Sequence, residues 1–156
     1  MIWEAITALT GLIGAIGVIL SLIYLARQIR TQNRESRISA IHDLNESFRN
    51  SITSFQNPSL AMVFTRARND FESLSETERL QFISMVQGIF RVWEDAYHQY
   101  SEKRLPDEIW DAMVIQYSSY LSVDGVMKVW AIRKMAYSKK FRNFVDSTPP
   151  VEYLSR

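Results

Sequence analysis

The sequence predicts an all-α protein: an N-terminal transmembrane helix continues into a long cytoplasmic helix that packs with a small helical bundle. Three observations carry this. From Ala5 to Ala26 the chain reads AITALTGLIGAIGVILSLIYLA, 22 residues without a charge. At about 1.5 Å per residue that run spans a hydrocarbon core of about 30 Å. Downstream, apolar residues recur at three- and four-residue steps, the helical period, and no stretch alternates with the two-residue period of a strand.

Length and composition set the bounds. A chain of 156 residues fits one compact domain with an appendage. Its 18 Lys plus Arg nearly balance 17 Asp plus Glu, so no global charge points to nucleic acid. The distribution is uneven: an acidic middle, residues 70–111, lies between basic segments at 27–37 and 128–142. These basic segments either pair internally or face anionic lipid. The absence of cysteine excludes a disulfide framework, a thiol nucleophile and thiolate zinc sites. The expected organisation is a transmembrane anchor at 1–26, a juxtamembrane amphipathic helix at 27–57, a cytoplasmic helical bundle at 58–148 and a disordered tail at 149–156.

In the anchor, Trp3 and Tyr24 lie near the two ends, where amphipathic rings favour the membrane interface. No Lys or Arg precedes the segment, while Arg27, Arg30, Arg34 and Arg37 follow it. The positive-inside rule then puts the N-terminus outside and the C-terminal domain in the cytoplasm, in a single pass through the plasma (inner) membrane. A cleaved signal peptide is the rival reading. It needs a basic leader and a shorter apolar core, whereas this leader carries Glu4 and the downstream flank is arginine-rich. Gly11, Gly14 and Gly17 recur every three residues, and Gly11 with Ala15 makes a small-xxx-small pair. Small residues let helix backbones approach closely in lipid, so this face is expected to self-associate, with Thr7, Thr10 and Ser21 adding hydroxyls. Against that stands the general frequency of glycine in membrane spans. The four arginines recur every three or four residues and are expected to orient the helix and touch lipid headgroups, at about 1 kcal/mol each.

Residues 30–37, RTQNRESR, hold no Gly or Pro, and Ile38, Ile41, Leu44 or Asn45, Phe48, Ile52 and Phe55 continue an amphipathic stripe. One helix is therefore expected from the membrane to about Phe55, stopped by Asn57-Pro58. A short helix follows from about Ser59 to Asn69. Ser75 and Glu78 form a capping-box pattern that opens a helix to about Glu102. Its stripe of Ile83, Val86, Phe90, Trp93, Tyr97 and Tyr100, with Phe82, Met85, Ile89 and Val92 beside it, predicts the buried central helix. Leu105-Pro106-Asp107 opens the next helix, Asp124-Gly125 reads as a turn, and a further helix carries Val126, Val129, Trp130 and Arg133. Ser138 is placed to cap a last helix with Phe141, Phe144 and Val145, and Pro149-Pro150 is expected to end order.

The anchor, the run LARQIRTQNRESR, the segment FRVWEDAYHQY, the LPDEIW helix start and the late DGVMKVWAIRKMAYSKKFRNFVD together resemble a group of small bacterial single-span membrane proteins with a helical cytoplasmic domain. The likeness covers nearly the whole chain. It implies the architecture and brings no reaction and no ligand.

Chemistry-bearing residues are few. Glu94, His98 and Glu102 share a face of the central helix, and His42 with Glu46 has the same four-residue spacing on the preceding one. Converging, they would resemble a bundle metal site. The three-residue Glu-x-x-His pattern of di-iron bundles is absent, and such pairs commonly stabilise exposed helix faces, so no metal or other cofactor is expected. Glu94 beside Trp93 on the buried helix needs a partner. Arg91, Arg133 and Arg66 qualify, and a structural Glu94–Arg133 ion pair is the expected outcome, with a catalytic carboxylate as the alternative. No phosphate loop, dinucleotide fingerprint, nucleophile elbow or HExxH motif is present, so no enzyme is expected. The aromatic residues at helical spacing are expected to be core.

Two functional readings follow. The first is a membrane-anchored, self-associating interaction or scaffold protein, with the lipid bilayer, further copies of itself and an unspecified protein as partners and no nucleic acid. The second is a homo-oligomeric pore, anion-biased by arginine rings, with Thr7, Thr10 and Ser21 facing inward and about five or more copies around it.

Overall fold

The computed structural model describes residues 2–152 and, within them, every side chain except those at 4, 5, 7, 8 and 54. The described residues form six α-helices and no strand: α1 (Ile2–Phe55), α2 (Pro58–Asn69), α3 (Glu76–Ser101), α4 (Asp107–Ser118), α5 (Asp124–Arg133) and α6 (Lys139–Ser147), linked partly by short 3-10 turns. The all-α class is as expected. Two compact units divide inside α1, between Ser39 and Ala40.

The first unit is α1 up to Ser39. Every described side chain in it is exposed, including Leu12, Ile13, Ile16, Leu20 and Leu22. Isolated exposed leucines are ordinary on a protein surface, but a continuous apolar sleeve is not. The physical consequence is a helix long and apolar enough to cross a membrane.

The second unit is a bundle around α3. Local chemistry fixes its boundaries. Asn57 caps α2, its Oδ1 accepting the Ser59 N–H at 3.0 Å, and Pro58 takes the first helical position, where its missing N–H costs nothing. Ser75 and Glu78 close the capping box of α3: Ser75 Oγ accepts the Glu78 N–H, and Glu78 Oε2 accepts the Ser75 N–H at 3.0 Å. That backbone bond is the main cause holding the Glu78 carboxyl below its usual range.

The buried face of α3 carries Phe82, Val86, Ile89, Phe90 and Trp93. Against it pack Val63, Phe64 and Ala67 of α2, Trp110 and Tyr117 of α4, Val126, Val129 and Trp130 of α5, and Phe141 and Val145 of α6. The last turns of α1 belong to this core: Ala40 and Leu44 are buried, and Phe55 meets Phe64 edge-on at 5.1 Å. Trp93 lies at the centre, stacked on Tyr117 at 5.6 Å and edge-on to Phe141 at 5.8 Å. Each large apolar side chain buried this way contributes about 2 kcal/mol.

One expectation is corrected. Asp124-Gly125 is not a turn: α5 begins at Asp124, and Gly125 is buried in its first turn. Of the expected tail at 149–156, residues 149–152 have no regular secondary structure, and the Val151 N–H donates to the Ser118 carbonyl at 3.2 Å. The remainder of the expected tail, residues 153–156, lies outside the described residues.

Among the described residues one backbone position carries strain. Lys103, after α3, has φ 59°, the left-handed conformation that ends many helices and suits glycine. Lys103→Gly is expected to stabilise the bundle by about 1 kcal/mol, read as a higher urea midpoint of tryptophan fluorescence in mild detergent.

Candidate functional site

Two regions hold the residues singled out by the sequence. The first is the N-terminal unit. Trp3 and Tyr24 are strongly exposed at 81% and 70%, as interface anchors must be. An alanine-sized Cβ built on Gly11, Gly14 or Gly17 would meet nothing within 4 Å among the described residues. Thr10 Oγ1 donates to the Ile6 carbonyl at 2.8 Å and Ser21 Oγ donates to the Gly17 carbonyl at 2.9 Å. Both hydroxyl protons are thus spent within the helix, and only their oxygens remain to accept. The Thr7 side chain lies outside the described residues. Ala15, Arg27, Arg30, Arg34 and Arg37 are exposed, and none of the four arginines forms an ion pair among the described residues.

The second region surrounds Glu94, which is 7% exposed on α3. Its Oε2 accepts from Arg91 Nη1 at 2.7 Å, one turn earlier, and its Oε1 accepts the Ser138 N–H at 2.7 Å. The expected Glu94–Arg133 pair is corrected: the guanidinium on the carboxylate is that of Arg91, while Arg133 is exposed at the end of α5 and Arg66 pairs with Glu78 at 2.7 Å. Arg91 is held by two further contacts. Its Nη2 donates to the Ala136 carbonyl at 3.0 Å, and its guanidinium lies 4.5 Å from the Tyr137 ring centroid. Tyr137 donates its hydroxyl to the Gln87 carbonyl at 3.2 Å, and burial pushes its phenol up to about 12.

This arrangement is built for structure. Ser138 is the N-cap residue of α6 and its own side chain makes no capping bond. The carboxylate of Glu94 reaches across from α3 and accepts the N–H of that N-cap residue, at a helix end that favours negative charge. A Ser–His–acid reading fails on geometry. His98 Nε2 faces both Ser138 Oγ, at 3.5 Å, and Glu94 Oε1, at 4.0 Å. A catalytic imidazole needs its acid on the opposite nitrogen.

The metal candidates do not converge. His42 and Glu46 are exposed on α1, Glu102 pairs with Arg104 at 2.7 Å, and among the described residues no group of three His, Asp or Glu is placed to hold a metal ion. Sequence reasoning missed Asp146, which accepts from Trp130 Nε1 at 2.8 Å and from Lys134 Nζ at 3.1 Å. The indole bond is the first cause of its lowered carboxyl pKa. A Trp–Asp pair sixteen residues apart on two helices leaves no local signal. Also unforeseen is an apolar groove of about 230 Å³ between the last turns of α1 and α4, lined by Ile41, Leu44, Phe48, Ile109 and Met113 with Asn45 and Gln116.

The class of protein is set by this architecture: an all-α chain, among its described residues, with one helix long and apolar enough to span a membrane and a helical bundle. No family model, no curated protein and no solved structure matches the chain.

Proposed function

We propose that this protein is a single-pass, membrane-anchored helical module that self-associates through its span and presents its bundle to the cytoplasm as an interaction or scaffold surface. One observation carries the reading: an uncharged apolar run, every described side chain of which is exposed, is followed directly by four exposed arginines. Lipid is the medium in which that run is stable, and the arginines set its orientation with the N-terminus outside. Uncovered glycine backbones at Gly11, Gly14 and Gly17 support self-association, because close approach there has to come from another chain. The resemblance to small bacterial single-span proteins supports the same architecture. The pore reading is weaker, since the described span hydroxyls are bonded to their own helix.

The experiment is light scattering of the full chain in mild detergent, after alkaline carbonate extraction of membranes from expressing cells. The protein is expected in the membrane pellet and to scatter as an oligomer, and the double variant Gly14→Ile with Gly17→Ile is expected to scatter as a monomer. Release into the carbonate supernatant defeats the anchor. A native chain that is monomeric at working concentration defeats self-association.

A further inference from the structure

α1 runs unbroken from the span through the arginine run, so one helical phase governs both. At about 100° per residue, Arg27, Arg30, Arg34 and Arg37 fall within an arc of about 80°. Thr10, Gly14, Gly17 and Ser21 fall within an arc of about 60°, centred about 150° away from the arginines, and Gly11 lies about 60° beyond its edge. Gln28 and Gln32 continue that face past the end of the span with uncharged, longer side chains, and Glu35 lies at its edge in phase with Gly17. If the helices supercoil with a 3.5-residue repeat, the separation is still about 100°. Glu35, the one acid in the run, lies about 120° from the centre of the arginine wedge and leaves it uncompensated.

We propose that the arginine wedge binds anionic lipid headgroups on the outer rim of the assembled spans, with Arg27 and Arg30 on the phosphates. The position on the rim rests on the self-association reading above; the binding of headgroups does not. Spans that meet through the small face turn the arginines away from their neighbours and into the surrounding leaflet. There the guanidinium fork matches phosphate oxygens and the aliphatic stem lies along apolar surface. Depth separates the four residues. A headgroup layer is about 6 Å deep on each side of the hydrocarbon core, and Arg30 rises only about 4.5 Å beyond Arg27. Arg34 and Arg37 rise about 10 and 15 Å, clear of the layer but within roughly a Debye length of its charge. The first pair makes contacts; the second pair feels the surface potential. The same geometry turns the arginines away from the lumen that a vestibule of inward-facing charges would need.

The test uses the full chain. Native mass spectrometry of detergent-solubilised protein, titrated with phosphatidylglycerol or phosphatidylcholine, reads the lipids retained per subunit. Phosphatidylglycerol is expected to be retained more tightly by at least tenfold. The double variant Arg27→Gln with Arg30→Gln is expected to lose about thirtyfold in phosphatidylglycerol affinity, and Arg34→Gln with Arg37→Gln about fivefold or less. Equal retention of both lipids, or a larger loss from the outer pair, overturns the headgroup contact. The rim position has its own readout, made clean by the absence of cysteine. Oxidised Gln28→Cys and Gln32→Cys variants are expected to cross-link between copies, and Arg30→Cys and Arg34→Cys are not. Cross-linking through the arginine face alone overturns the rim position. A monomeric chain with no cross-link at any position defeats the assembly reading and the rim together, while lipid retention decides the headgroup contact separately.

Discussion

Replacing Gly125 by alanine is expected to destabilise the bundle by about 3 kcal/mol, although alanine is ordinarily the better helix former by about 1 kcal/mol. The cause is a close approach of α5 to α2. A Cβ at position 125 would stand 2.5 Å from the Ala67 carbonyl oxygen, 3.2 Å from its carbon and 3.4 Å from Phe82 Cζ. Two of those neighbours are backbone, and Ala67 is 1% exposed inside α2, so no flexible side chain can swing away. α5 has to shift instead, which loosens Val126 and Val129 against the core they fill. Gly88 is the internal control. It lies within α3, and a methyl group added there would meet nothing within 4 Å, so Gly88→Ala is expected to stabilise by about 1 kcal/mol. Urea unfolding followed by tryptophan fluorescence in mild detergent checks both. Equal effects of the two substitutions would show that the α2–α5 approach is not constrained.

The same glycine shows what the sequence conceals. Asp-Gly is a strong turn signal because both residues tolerate unusual backbone angles, and positions 124–125 carry it. The fold uses Gly125 for its missing side chain, a requirement set by a helix nearly sixty residues earlier in the chain. Features decided by neighbours in sequence were legible. The uncharged apolar helix, its uninterrupted run to Phe55, the stop at Asn57-Pro58 and the Ser75–Glu78 capping box all follow from local rules, and all are present. Features decided by packing were not. The need of Glu94 for a partner could be read from its burial, and Arg91, three residues before it on α3, was a local candidate; that the carboxylate also accepts the Ser138 N–H required knowing how α3 and α6 meet. The angular offset between the small face of the span and the arginine wedge sits between these cases. It is computable from residue numbers, and it gains meaning only because α1 has no break in between.

Glu94→Ala is expected to cost about 3 kcal/mol and to loosen α6 before the rest of the bundle. The carboxylate performs two tasks with one oxygen each. Oε1 accepts the Ser138 N–H, which would otherwise be an orphan donor at the start of α6, and Oε2 accepts from Arg91. A cap of this kind is worth about 1 to 2 kcal/mol, and α6, with only nine residues, has little helical stability of its own to lose. The ion pair adds less than a fully buried one, because the Arg91 side chain is 56% exposed and water can resolvate it. The expected effects are therefore unequal. Arg91→Ala should cost about 1 kcal/mol, mostly through its contacts with Ala136 and Tyr137, and Glu94→Ala about three times as much. Glu94→Gln should fall between the two, since the amide still accepts from Ser138 but presents its own donors to Arg91 or to that N–H. Urea unfolding gives the three magnitudes, and hydrogen exchange of the α6 amides gives the location. If Arg91→Ala matches Glu94→Ala and exchange rises evenly across the bundle, the carboxylate is an ion-pair partner alone and the capping role is lost. If α6 exchanges early only when Glu94 is removed, the charge on α3 is what holds the last helix in place.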